Sequence, residues 1–169
     1  MDLVARLADA RIGSTHNQYA RSELRRERLR TYLRECEQAS TILVGEAAGY
    51  RGARVSGIPF TSERQLTGEG PAEASATIVH RVLAELRVED DVLLWNVVPT
   101  HPGTAASNRR PTRAEVAASR PFLTELSSGR RVVAVGRLAA DVLGAPYVRH
   151  PSHGGARAFA EGLRRTLGR

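Results

Sequence analysis

Three short apolar runs constrain the fold of this chain: Thr41-Ile42-Leu43-Val44, Val92-Leu93-Leu94-Trp95 and Arg131-Val132-Val133-Ala134-Val135. Runs of this length without polar alternation suit strands buried on both faces. Helical patterns lie between them. Residues 73–87 place Ile78, Val82, Leu83 and Leu86 on one face. Residues 112–128 open on Thr112, with Glu115 in the capping-box position. Pro121 inside that second pattern predicts a kink or a break. Arg137 to Leu143 reads as a short helix and Pro146 to Arg149 as a short fourth strand. Ala156 to Leu167 reads as a closing helix with Phe159, Ala160, Leu163 and Leu167 inward. Residues 45–71 and 96–111 read as two long loops. Strands alternating with helices call for a three-layer α/β/α sandwich with a central four-stranded parallel sheet.

Ahead of the sheet, residues 2–12 are weakly amphipathic, and residues 19–38 carry Leu29, Tyr32, Leu33 and Cys36 in an apolar stripe. The opposite face mixes Glu23, Arg25, Arg26, Glu27, Arg30 and Arg34, the pattern of a solvated, self-paired surface. At 169 residues the chain suits a single domain, with a helical segment over 1–38 and a core over 40–165. The one cysteine, Cys36, excludes an internal disulfide and a cysteine-rich metal site. Neither a signal-peptide pattern nor a run approaching the roughly 20 apolar residues of a membrane span is present. A cytoplasmic protein with no membrane partner is the expectation. The net charge of +7 arises from 25 basic residues, all Arg and none Lys. A basic surface suits a polyanion, but the same bias follows from a GC-rich genome, so charge alone leaves nucleic-acid binding open.

In parallel sheets ligands bind beyond the carboxyl ends of the strands, where this chain gathers its chemistry. Gly45-Glu46-Ala47-Ala48-Gly49-Tyr50 follows the first run, Asn96 ends the second and His150-Pro151-Ser152-His153-Gly154-Gly155 follows the fourth strand. The glycines permit a tight turn and close backbone approach. This is neither a dinucleotide fingerprint nor a Walker loop, which requires a Lys. Phe60, after Pro59 in a polar loop, can stack on a flat ring or plug the loop against the core. The amide of Asn96 can read one edge of a nucleobase or cap its own loop. His150 can be a donor, a metal ligand or a structural residue, although the histidines show no metal-site spacing.

Together, Gly45-Glu46-Ala47-Ala48-Gly49, Gly57-Ile58-Pro59-Phe60, Asn96-Val97-Val98-Pro99, Asn108-Arg109-Arg110-Pro111, Val135-Gly136-Arg137-Leu138-Ala139-Ala140 and His150-Pro151-Ser152 resemble the uracil-DNA glycosylase superfamily over roughly residues 40 to 165. The likeness is closest to family four, the iron–sulfur type, whose first motif shares the Gly-Glu-Ala start. The single cysteine cannot hold a four-cysteine cluster, so the chain resembles a cofactor-free and metal-free relative. The best-known branch has an Asp at the position of Ala47, where it orients the attacking water, and other branches have Asn.

The resemblance implies a base-excision-repair enzyme that flips uracil out of single- or double-stranded DNA, working as a monomer. Ala47, Tyr50, Phe60 and Asn96 would surround the base, with Phe60 stacking and Asn96 bonding the N3 and O4 edge. His150 would donate to O2 as negative charge develops there. Ser152 would grip flanking phosphates, with Arg109 also on the DNA. His153 or Arg157 would fill the gap left by the flipped base, or the enzyme favours single strands. Glu46 would shape the pocket near uracil C5 or position water. With no Lys and only the amine of Met1 to form a Schiff base, the implied enzyme hydrolyses the glycosidic bond without cutting the strand. The alternatives are a damaged-DNA binder of the same fold with little turnover, a glycosylase for hypoxanthine or xanthine, and an unrelated α/β enzyme.

Overall fold

A computed structural model describes residues 2–168; Met1, and with it the amine considered above, lies outside them. Four parallel strands form the sheet: β1 (Thr41–Ala47), β2 (Val92–Val98), β5 (Arg131–Val135) and β6 (Tyr147–Val148), in the order β2-β1-β5-β6. A separate hairpin pairs β3 (Gly103–Thr104) with β4 (Ser107–Asn108). Helices cover both faces of the sheet. Alternate residues along the strands divide most of the core between them, although Ala47 and Val98 at the strand ends join the first group. Ile42, Val44, Leu93, Trp95 and Ala134 pack with α1 (Leu3–Asp9), α2 (Glu23–Glu35), α6 (Arg113–Ser127) and α7 (Arg137–Leu143). Leu43, Leu94, Val133 and Val135 pack with α5 (Ala74–Leu86) and α8 (Ala156–Leu167). The expected sandwich and its four-stranded parallel sheet are present.

The two long loops are shorter than the sequence suggests. β1 continues to Ala47 and β2 to Val98, because the ladder pairs Gly45 with Asn96 and Ala47 with Val98. The next segment holds two short helices, α3 (Ala53–Ser56) and α4 (Glu63–Thr67), the latter opened by a Ser62–Gln65 capping box. The second loop contains the small hairpin. Residues 19–38 shorten to the thirteen of α2, whose first turn is capped by Ser22. Pro121 does not interrupt α6. The proline withdraws one N–H at an exposed position, and Ala117, four residues earlier, is also exposed, so water can satisfy the freed carbonyl. Thr112 and Glu115 form the expected capping box.

The polar face of α2 is self-paired, with Arg26 and Arg30 both bonding Glu23. Its inner face closes the sheet edge: the backbone N–H of Leu94, on edge strand β2, donates to the Tyr32 hydroxyl at 2.7 Å. The segment before α2 continues this cover, where His16 and His101 exchange backbone hydrogen bonds at 2.8 and 3.0 Å.

Candidate active site

The site lies at the carboxyl ends of β1 and β2, on the face covered by α5 and α8. Gly45 and Asn96 are register partners and share a face with Leu43 and Leu94. The missing side chain at Gly45 makes room for the Phe60 ring. A Cβ there would lie 2.3 Å from Phe60 Cζ and 2.9 Å from Asn96 Oδ1. Phe60 is 7% exposed, with φ at 51°. That conformation is costly for a bulky residue and persists only where neighbours impose it. They do: Ser56 Oγ donates to Thr61 O at 2.6 Å, and Thr61 Oγ1 donates to Pro59 O at 3.1 Å. Tyr19 Oη donates to Gly57 O and Arg25 Nε to Val55 O. The loop thus presents the ring in a fixed pose.

Asn96 is 3% exposed, yet its amide makes no hydrogen bond among the described residues. Buried polar groups are nearly always partnered, and this one borders a small cavity of about 50 Å³ that also touches Phe60, His150, Ala47, Glu46 and Glu73. His150 is oriented by its own loop. Its Nδ1 accepts from the backbone N–H of Ser152 at 3.1 Å and lies 2.7 Å from Ser152 Oγ. An acceptor at Nδ1 leaves the ring proton on Nε2, which has no partner among the described residues. Burial, with His153 nearby, lowers the His150 pKa and favours this neutral form. The cavity therefore offers an aromatic face, an amide edge and an imidazole N–H, which suits a flat heterocycle with polar edges.

Five residues, Glu46, Ala47, Gly49, Glu73 and His150, also border a wider cleft of about 470 Å³ that opens to the surface. The two carboxylates in this shared wall differ. Glu46 is half-buried, and burial raises its pKa against the pull of Arg110. It follows Gly45 on β1 and borders the same small cavity as Asn96. Glu73, just before α5, is raised by burial and opposed by a hydrogen bond from Ser75 and the charge of His101. Glu73 carried no sequence signal: it lies in a Gly/Pro-rich segment without periodicity. Its one trace is the pair Gly49 and Gly52, whose missing side chains leave room for it.

The other expected residues lie around the rim. Tyr50 lines the wide cleft but not the small cavity, and its backbone N–H donates to Asn108 Oδ1. Ser152 and His153 line the cleft, with the Ser152 hydroxyl bound to both histidines. His153 is exposed at φ 51°. Arg109 lines the cleft but is committed to a two-point ion pair with Glu115 at 2.6 and 2.8 Å. Arg157 is not brought to the site: it lies exposed on α8, paired with Glu161 at 2.7 Å. A basic pocket of about 580 Å³ adjoins the cleft and shares Tyr50, Arg51 and Ala72 with it. Arg51, Arg54 and Arg64 line it, and none has a carboxylate partner among the described residues.

The sequence matches the family described as the uracil DNA glycosylase superfamily over residues 34–164. No curated protein sequence matches it. Among solved structures, the fold is similar to that of SMUG2 from Pedobacter heparinus, with a TM-score of 0.74 at 14% identity, over 98% of this chain and 95% of that one.

Proposed function

Since the chain belongs to the uracil DNA glycosylase superfamily, we propose that it is a monofunctional glycosylase that flips uracil out of DNA and hydrolyses its N-glycosidic bond, leaving an abasic site. One observation carries this reading: the buried, unpartnered Asn96 amide facing a cavity beside the Phe60 ring and the free Nε2 of His150. Such an amide donates and accepts together, matching O4 and N3–H of uracil. Phe60 stacks on the base. His150 Nε2–H meets the charge that develops at O2 as the bond breaks, and preorganised donors of this kind contribute about 2.7–4 kcal/mol each. The sugar and flanking phosphates occupy the wider cleft. The unpaired Arg51, Arg54 and Arg64 continue its course with positive charge, which suits a phosphodiester backbone. Monomeric action in the cytoplasm completes the proposal.

Hypoxanthine presents the same donor and acceptor at N1–H and O6, so the amide alone does not discriminate it from uracil. The test is single-turnover excision from oligonucleotides carrying uracil, hypoxanthine, xanthine or mismatched thymine, single- and double-stranded. Release of uracil with an unbroken strand is expected. Uracil-DNA binding without release would leave a damage-binding protein and defeat the reading.

A further inference from the structure

Hydrolysis of the glycosidic bond requires a group that holds a water molecule against the sugar and takes its proton. A base in the small cavity and a sugar in the wide cleft put the breaking bond at their common wall. Two carboxylates, Glu46 and Glu73, stand in that wall. Glu46 lies under the charge of Arg110. Glu73 enters from the N-terminus of α5, which covers the same face as Gly45, Asn96 and Phe60.

Two glycines leave room for the Glu73 carboxylate where it now lies. A Cβ at Gly49 would lie 2.1 Å from Oε2, and one at Gly52 would lie 2.6 Å from it. Any side chain at these positions would displace the group. A Glu before a helix has an ordinary structural use as a cap or dipole partner, but Glu73 makes no capping bond to α5. Its one side-chain hydrogen bond comes from Ser75 Oγ to Oε1 at 3.1 Å. No arginine pairs with it among the described residues.

We propose that Glu73 positions the attacking water and acts as its general base. This rests on the glycosylase reading above. The water oxygen forms a bond to C1′ as the bond from C1′ to the base nitrogen breaks. The bonding pair leaves with the base, and the proton of the water passes to the Glu73 carboxylate.

The test is Glu73→Gln, with Glu46→Gln as its counterpart, in single-turnover excision with uracil-containing DNA. General-base removal typically costs about 10²–10⁴-fold. Glu73→Gln is therefore expected to slow excision at least about 100-fold, with DNA affinity unchanged within about threefold and Glu46→Gln much less affected. Burial raises the Glu73 pKa, so the wild-type rate should climb with pH as that proton is lost. Glu46, His101 and His150 share its surroundings, and the limb that disappears in Glu73→Gln identifies its source. A Gln variant that is slow only because its fold is disturbed would keep the wild-type pH limb, and that result overturns the assignment. A Gln variant within about threefold of the wild-type rate overturns it too. Wild-type protein that excises nothing from the whole panel defeats the glycosylase reading and takes this proposal with it.

Discussion

Glu115 and Glu73 are both carboxylates at the starts of helices, and their surroundings are opposite. Glu115, with its side chain 1% exposed, accepts two bonds from Arg109, one from the backbone of Thr112 at 2.9 Å and one from that of Ser14 at 3.3 Å. Arg109, the largest influence, and these backbone donors hold its pKa down to about 2. Glu73 has one hydroxyl partner and a raised pKa. The first spends its whole bonding capacity on tying residues 13–14 and 109–112 to α6. The second keeps capacity in reserve beside a cavity. A carboxylate at a helix start in this molecule is thus read by what it has left over, and the same holds for the unpartnered amide of Asn96.

Four predictions follow that division between pocket and clasp. The largest effect is expected from Gly45→Ala, whose methyl must displace Phe60 or Asn96: uracil excision should fall at least about 100-fold, roughly 2.7 kcal/mol of transition-state stabilisation, with the melting temperature changed by only a few degrees. A rate within threefold of wild type would show that the ring does not need its present seat. Asn96→Ala and His150→Ala should each lower excision at least about tenfold, the equivalent of 1.4 kcal/mol, again without unfolding. Near-normal rates in both variants would remove the pocket from the mechanism.

Glu115→Ala should do the reverse. Losing the clasp removes the bonds that tie Ser14, Arg109 and Thr112 to α6, so the melting temperature should fall by several degrees while the folded fraction excises at nearly the wild-type rate. The pH dependence has a defined sign. Because the folded pKa of Glu115 lies below its unfolded value of about 4.3, its contribution is complete above that value and fades as pH falls toward about 2. Glu115→Gln should flatten wild-type stability over this acid window, as measured by chemical denaturation at each pH. The smallest effect concerns Arg51, Arg54 and Arg64. Each replacement by Ala that removes a phosphate contact should reduce the slope of log affinity against log salt by about 0.9 on duplex or 0.7 on single-stranded DNA. Unchanged slopes in all three variants would take the basic pocket off the DNA path.

The sandwich and most helix boundaries are legible in the sequence because burial on both faces leaves unbroken apolar runs, as in Val92–Val98. The site is legible where its residues lie on or next to those runs: Gly45, Ala47, Asn96 and His150. Three features escape. The sheet carries Gly45 and Asn96 within its strands, since a ladder continues through a glycine when its neighbours pair. Arg109 is expected on the DNA, and its pairing with Glu115 escapes because a partner six residues away matches no helical spacing and needs the turn before α6. Glu73 reaches Gly49 and Gly52 across more than twenty residues that include two short helices, a contact that local patterning does not encode.

The hydroxyl of Tyr32 on the N–H of Leu94 bears on how this protein can be cut. β2 is seven consecutive buried residues at the border of the sheet, the composition and placement that promote intermolecular β-pairing once uncovered. Its cover comes from α2 and the chain before it, almost all of which precedes the matched family segment at residue 34. A truncation that begins at residue 40 would keep every strand and every pocket residue and still expose that border. Such a fragment is expected to self-associate into insoluble material instead of yielding a smaller working enzyme.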